Sequence, residues 1–104
     1  MIELRHIRYF VVASEQGSFR KAAARLKIQE SAVSRRIRDL EDRLGASLFH
    51  RHPGGVSLTV AGRRFLGRVR VALQQIENGV NDVAAIGRSE DGVIKIGIFS
   101  SLAS

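Results

Sequence analysis

Ser31, Ser34, Arg35 and Arg38 lie at offsets of zero, three, four and seven along the chain. In an α-helix that spacing puts them on one side. Hydroxyl and guanidinium groups presented together suit phosphate oxygens and base edges, since guanidinium is a planar, bidentate donor. The bland counterpart is an i,i+4 pair of Arg35 with Asp39 and of Arg38 with Asp42, worth only about 0.3–0.5 kcal/mol each. Catalytic and metal chemistry find less support. The histidines are His6, His50 and His52, and there is no Cys. His50-x-His52 lacks a third ligand at a helix-compatible spacing, so no metal site is expected. No Ser–His–acid or paired-carboxylate set follows from local spacing, and the glycines do not form a phosphate-binding loop. No enzyme activity and no cofactor are expected.

Charge points the same way. The 104 residues carry 17 Lys and Arg against 10 Asp and Glu, a net +7. Residues 1–70 hold 15 of the basic and 6 of the acidic residues, and 13 of those 15 are Arg. A polyanion partner follows, nucleic acid ahead of membrane, with a merely solvated basic surface as the alternative. Asp39, Glu41 and Asp42 interrupt the basic face, which argues against a membrane surface. The apolar runs are too short to span a bilayer, and the start shows no apolar signal core. Absence of Cys excludes a disulfide scaffold and suits the reducing cytoplasm. Hydrophobic residues at 44% are enough for one core.

The elements that must position the arginines can be read from periodicity. Leu4, Ile7, Phe10, Val11 and Ser14 form one helical stripe, stopped by Gly17. Ser18 is the expected N-cap of a second helix with Phe19, Ala22, Ala23 and Leu26 inward. After the break at Lys27-Ile28-Gln29, a third helix is expected over about 30–44, with Val33, Ile37, Leu40 and Leu44 as its core stripe and Gly45 as its stop. Ser47–Arg51 and Val56–Leu58 read as a hairpin around His52-Pro53-Gly54-Gly55, with Arg51 and His52 near its tip. Thr59 is the expected N-cap of a long helix to about Ile86. Phe65, Val69, Leu73, Ile76, Val80 and Val83 give that helix a near-heptad seam, for a partner chain or for this chain's own core. Gly62, Gly67 and Gly79 each weaken a helix by roughly 1 kcal/mol relative to Ala. A polar linker is expected over 87–92 and a strand over Val93–Phe99.

Two short helices with a basic second member describe a helix-turn-helix, the hairpin serving as a wing. At this point a resemblance appears. Leu4-Arg5-His6-Ile7-Arg8-Tyr9-Phe10, Gly17-Ser18-Phe19, Ala22-Ala23 and Leu26 resemble the opening of the LysR-type bacterial transcriptional regulators. Ser31-Ala32-Val33-Ser34-Arg35-Arg36-Ile37-Arg38-Asp39-Leu40-Glu41 is similar to that family's recognition helix. Leu44-Gly45, Leu48-Phe49-His50-Arg51 and Leu58-Thr59-Val60-Ala61-Gly62 complete the pattern, over about residues 2–99. The family usually has Ser-Gln-Pro or Ser-Gln-Ser where this chain has Gln29-Glu30-Ser31, and Gln where it has Arg36. Glu30 thus replaces a base-reading amide with a carboxylate, and these departures bear on which operator is read.

The resemblance implies a mainly α fold: a winged helix-turn-helix over 1–58, a linker and dimerisation helix over 59–86, and over 87–104 a hinge with the first strand of an effector-binding domain. Family members are about three times longer, so the chain is expected to be a piece or a truncated product, without small-molecule sensing. Glu30, Ser31, Ser34, Arg35 and Arg38 are the expected groove-facing residues. Arg51 and Thr59 are expected on the DNA backbone, and Arg5, Arg63 and Arg64 are weaker candidates. The implied function is sequence-specific binding of double-stranded DNA by a homodimer in the cytoplasm, with a tetramer open for a full-length protein. The alternative is a dimerisation module that acts by pairing with full-length regulators.

Overall fold

The computed structural model describes residues 1–90, in the order α1 (Leu4–Gln16), α2 (Phe19–Leu26), α3 (Glu30–Leu44), β1 (Phe49–His52), β2 (Gly55–Leu58) and α4 (Val60–Glu90). The expected helix boundaries arise from local chemistry. Gly17 and Gly45 take the left-handed conformation that closes α1 and α3. The Ser18 hydroxyl accepts the Lys21 N–H at 3.1 Å and caps α2. Lys27 closes α2 at φ 59°, an unusual angle for a side chain with a Cβ. Gln29 precedes α3 without a side-chain capping bond.

The core lies where α1 meets α2, α3, the hairpin and the first turns of α4. Phe10, Val12, Ala22, Val33, Ile37, Leu40 and Leu48 are almost fully buried. Phe10 sits at the centre, its ring 5.6 Å from Phe49 and 5.2 Å from Phe65. Two stripe expectations need correction at their ends. Leu4 is exposed, and His6 takes the buried place one turn before Phe10. Leu44 is also exposed, because α3 runs past the core before Gly45.

The hairpin is antiparallel, with Phe49 opposite Leu58, His50 opposite Ser57, Arg51 opposite Val56 and His52 opposite Gly55. It starts two residues later than the expected Ser47, because the backbone of Leu48 is used elsewhere. The Leu48 N–H donates to Glu41 at 2.7 Å, and its carbonyl accepts the Thr59 N–H at 3.0 Å. Two close approaches lock the hairpin in place. A Cβ on Gly55 would lie 2.2 Å from the Gly17 carbonyl oxygen, and one on Gly62 only 2.1 Å from that of Leu48. Gly62 therefore permits contact between helix and wing, at the expense of helix propensity.

Thr59 caps α4 as expected, its hydroxyl accepting the Gly62 N–H at 2.9 Å. The helix continues through Gly87-Arg88-Ser89 to Glu90, four residues past the expected end. Glycine at 87 weakens a helix without breaking it, and no proline intervenes. The expected linker over 87–92 is thus helical as far as Glu90; its last two residues and the strand over Val93–Phe99 lie outside the described residues. At 1.5 Å per residue, α4 extends about 46 Å and projects beyond the globular part. No helix among the described residues is long and apolar enough to cross a membrane.

Candidate nucleic-acid interface

Helix α3 buries Val33, Ile37 and Leu40 against α1 and α2, which turns its other side to solvent. On that side Ser31, Ser34, Arg35 and Arg38 line one concave surface with Asp39 and Asp42. Arg35 and Arg38 are exposed. Among the described residues neither enters an ion pair, so the i,i+4 pairs with Asp39 and Asp42 do not form. Asp39 is engaged elsewhere: it bonds His6 Nε2 and accepts Arg43 Nε at 3.1 Å. The guanidiniums of Arg35 and Arg38 thus remain available to an external acceptor.

The His6–Asp39 contact was not legible in the sequence. His6 is 1% exposed, and its Nδ1 accepts the Glu3 N–H at 2.9 Å. The ring proton therefore sits on Nε2 and is donated to Asp39. That bond holds the Asp39 carboxyl below the ordinary carboxylate range; Arg43 adds to the effect and desolvation opposes it. Arg43 also donates to the Met1 carbonyl at 2.7 Å, and Arg36 approaches Glu3 to 4.0 Å. The entry to α1 is thereby tied to the middle of α3.

A second concavity adjoins the start of α3. It is lined by the capping Ser18, by Phe19, Arg20 and Lys21 of α2, by Glu30, and by the wing from Arg51 to Val56. Arg20 and Lys21 are exposed cations there, and neither was among the residues expected at the interface. Their place in the first turn of α2, directly after the Ser18 cap, was the available signal.

Two expected backbone contacts are differently employed. Arg51 donates to Glu41 Oε1 at 3.1 Å, and its guanidinium lies 4.8 Å from the centre of the Phe19 ring. It ties the wing to α2 and α3 while still lining the cleft. Glu41, 12% exposed, is the acceptor at this joint for Leu48, Phe49 and Arg51. The Thr59 hydroxyl donates to the Ser47 carbonyl at 2.7 Å, and its N–H is given to Leu48. With both donors spent internally, Thr59 orients the start of α4 and offers no donor to a phosphate in this conformation. Arg63 donates to the Leu58 carbonyl at 3.2 Å and, with Arg64 and Arg68, lines a basic stretch of α4. Arg5 is exposed on α1.

The long seam of α4 divides in two. Phe65, Leu66, Val69 and Leu73 pack on this chain's own core, so for Phe65, Val69 and Leu73 the own-core alternative holds in place of a partner chain. The physical reason is the wing and α1 beneath the first turns, where the Phe65 ring packs at a tilt against that of Phe10. Ile76 and Val83 remain 41% and 59% exposed farther along. Among the described residues no group of three or more potential metal ligands comes together.

Three helices, a two-stranded wing and an exposed basic face on the third helix define a winged helix-turn-helix. The family description "Bacterial regulatory helix-turn-helix protein, lysR family" matches residues 4–63, and the chain belongs to that family. The HTH-type transcriptional regulator AlsR of Bacillus subtilis (strain 168) is 39% identical over 100 residues, which are 96% of this chain and 33% of AlsR. The chain thus spans about a third of the length of such relatives. The crystal structure of a BenM_DBD/catB site 1 DNA complex superposes with a TM-score of 0.75 at 37% identity, covering 83% of this chain and 97% of that one. Full-length CbnR complexed with its target DNA gives 0.73 at 32% identity, covering 84% of this chain and 30% of CbnR.

Proposed function

We propose that this chain is the DNA-reading and dimerising part of a bacterial transcriptional regulator, acting in the cytoplasm by binding and not by catalysis. The observation that carries the reading is the row Ser31, Ser34, Arg35 and Arg38 on the free side of α3, its arginines unpaired among the described residues. A helix of that width fits the major groove, and its outward side chains reach base edges. Arg20, Lys21 and the wing flank it, in position for phosphates on either side. The DNA complexes formed by BenM and CbnR, named in their structures, support the same mode here. Two chains pair through the exposed apolar part of α4 and present two α3 helices to a roughly two-fold site.

The test is binding of the purified chain to DNA from its own upstream region, against scrambled duplex, over a salt series. A preference of about 10³ or more at physiological salt is expected, with affinity falling steeply as salt rises. Arg35→Ala is expected to cost roughly 1–3 kcal/mol on the preferred site and to relax one base position. An equal loss on every sequence would make Arg35 a phosphate contact only. Binding with no sequence preference at any salt would refute the proposal.

A further inference from the structure

We infer that Glu30 is a specificity-determining residue that selects cytosine at one base pair of each half-site, an inference that rests on the DNA-reading role of α3. Glu30 is the first residue of α3 and is exposed. It lines the cleft between α2 and the wing, where the other charged lining residues are Arg20, Lys21 and Arg51. It enters none of the side-chain hydrogen bonds or ion pairs found among the described residues. An acid at this point repels phosphates and weakens binding to every sequence, a cost that discrimination between bases would offset.

The chemistry of a carboxylate restricts what it can read. It carries acceptors only, so it needs a donor on the base edge. In the major groove the amino groups are cytosine N4 and adenine N6. Adenine places its N7 acceptor beside the amino group, and a carboxylate oxygen facing N7 is repelled. Guanine presents two acceptors, N7 and O6, and is disfavoured throughout. Within its pair, cytosine N4 has an acceptor, guanine O6, on one side only and C5–H on the other, whereas adenine N6 lies between two acceptors. Glu30 therefore favours cytosine under the first turn of α3, while Ser31, Ser34 and Arg35 read neighbouring positions. The same carboxylate also favours the positive end of a helix whose preceding Gln29 supplies no side-chain cap. Helix stabilisation alone makes no distinction between bases, which separates the two roles.

The experiment is selection of bound duplexes from a randomised pool by the purified chain, its Glu30→Gln variant and its Glu30→Ala variant, with circular dichroism confirming helix content in each. The wild type is expected to enrich cytosine at one position per half-site. Glu30→Gln, whose amide is complementary to adenine N6 and N7, is expected to move that position to adenine by roughly tenfold in relative affinity. Glu30→Ala is expected to leave the position undiscriminated while the others keep their ranking. If Glu30→Gln binds all duplexes more tightly with an unchanged ranking, the carboxylate serves only the helix and the inference falls. If the wild type enriches no sequence at all, the DNA-reading role itself falls, and this inference with it.

Discussion

At the scale of single residues, two carboxylates hold α3 in place. Glu41 accepts from the Leu48 and Phe49 N–H groups and from Arg51. Removing it strands a partly buried N–H donor and frees the wing arginine. Glu41→Ala is expected to cost about 1–3 kcal/mol. The check is a thermal melt, and an unchanged midpoint would show that the joint adds nothing. Asp39 is held below its ordinary value of 3.8 by the bond from His6. A depressed folded-state value means stability that is present above that of the unfolded chain and lost as pH falls through the folded one. Wild type should therefore exceed Asp39→Asn in stability at neutral pH, and the gap should close below about pH 3.8. Acid titration of both proteins by circular dichroism tests this; a gap constant down to pH 2 would contradict it.

At the scale of elements, the glycines of α4 separate by what surrounds them. Gly62 faces the Leu48 carbonyl at a distance no Cβ tolerates, whereas nothing lies within 4 Å of a Cβ on Gly67. Gly67→Ala is expected to raise stability by about 1 kcal/mol through helix propensity. Such a gain corresponds to a midpoint shift of about 4–8 °C for a domain of this size. Gly62→Ala should lower the midpoint and weaken DNA binding, because the wing must move away from α4. Calorimetry of the two variants decides the matter. Equal shifts of the same sign would mean that the close approach at Gly62 is not what the helix–wing joint depends on.

At the scale of the whole molecule, one end of α4 belongs to the folded domain and the other stands away from it. Ile76 and Val83 are exposed on the same side of the helix as Leu73 and Val80, which are half-buried. Leaving such a stripe in water is unfavourable by roughly 25 cal/mol per Å² of apolar surface, and a second copy of the helix would cover it. The double substitution Ile76→Asp with Val83→Asp is expected to give a folded monomer in place of a dimer. Sedimentation equilibrium reads this directly. The monomer should also lose most of its affinity for a two-half-site duplex while keeping weak affinity for one half-site. An unchanged dimer would place the contact elsewhere.

The helices, four of their ends and the hairpin turn were legible in the sequence because they depend on neighbours; the Glu3 entry to α1 and the left-handed Lys27 were not. Ser18 and Thr59 cap from within three residues, Gly17 and Gly45 close helices by their own backbone freedom, and the row Ser31, Ser34, Arg35 and Arg38 follows from 3.6-residue periodicity. Periodicity says which side of a helix is apolar, but not what covers it or for how far. Only the tertiary structure decided that His6, and not Leu4, enters the core, and that Phe65 and Val69 belong to this chain's own packing. It alone drew Arg51 and Thr59 into internal bonds and turned Asp39 toward His6, away from Arg35. Each of these outcomes depends on a partner ten or more residues distant, and side-chain donors go to whichever acceptor the packing brings within reach.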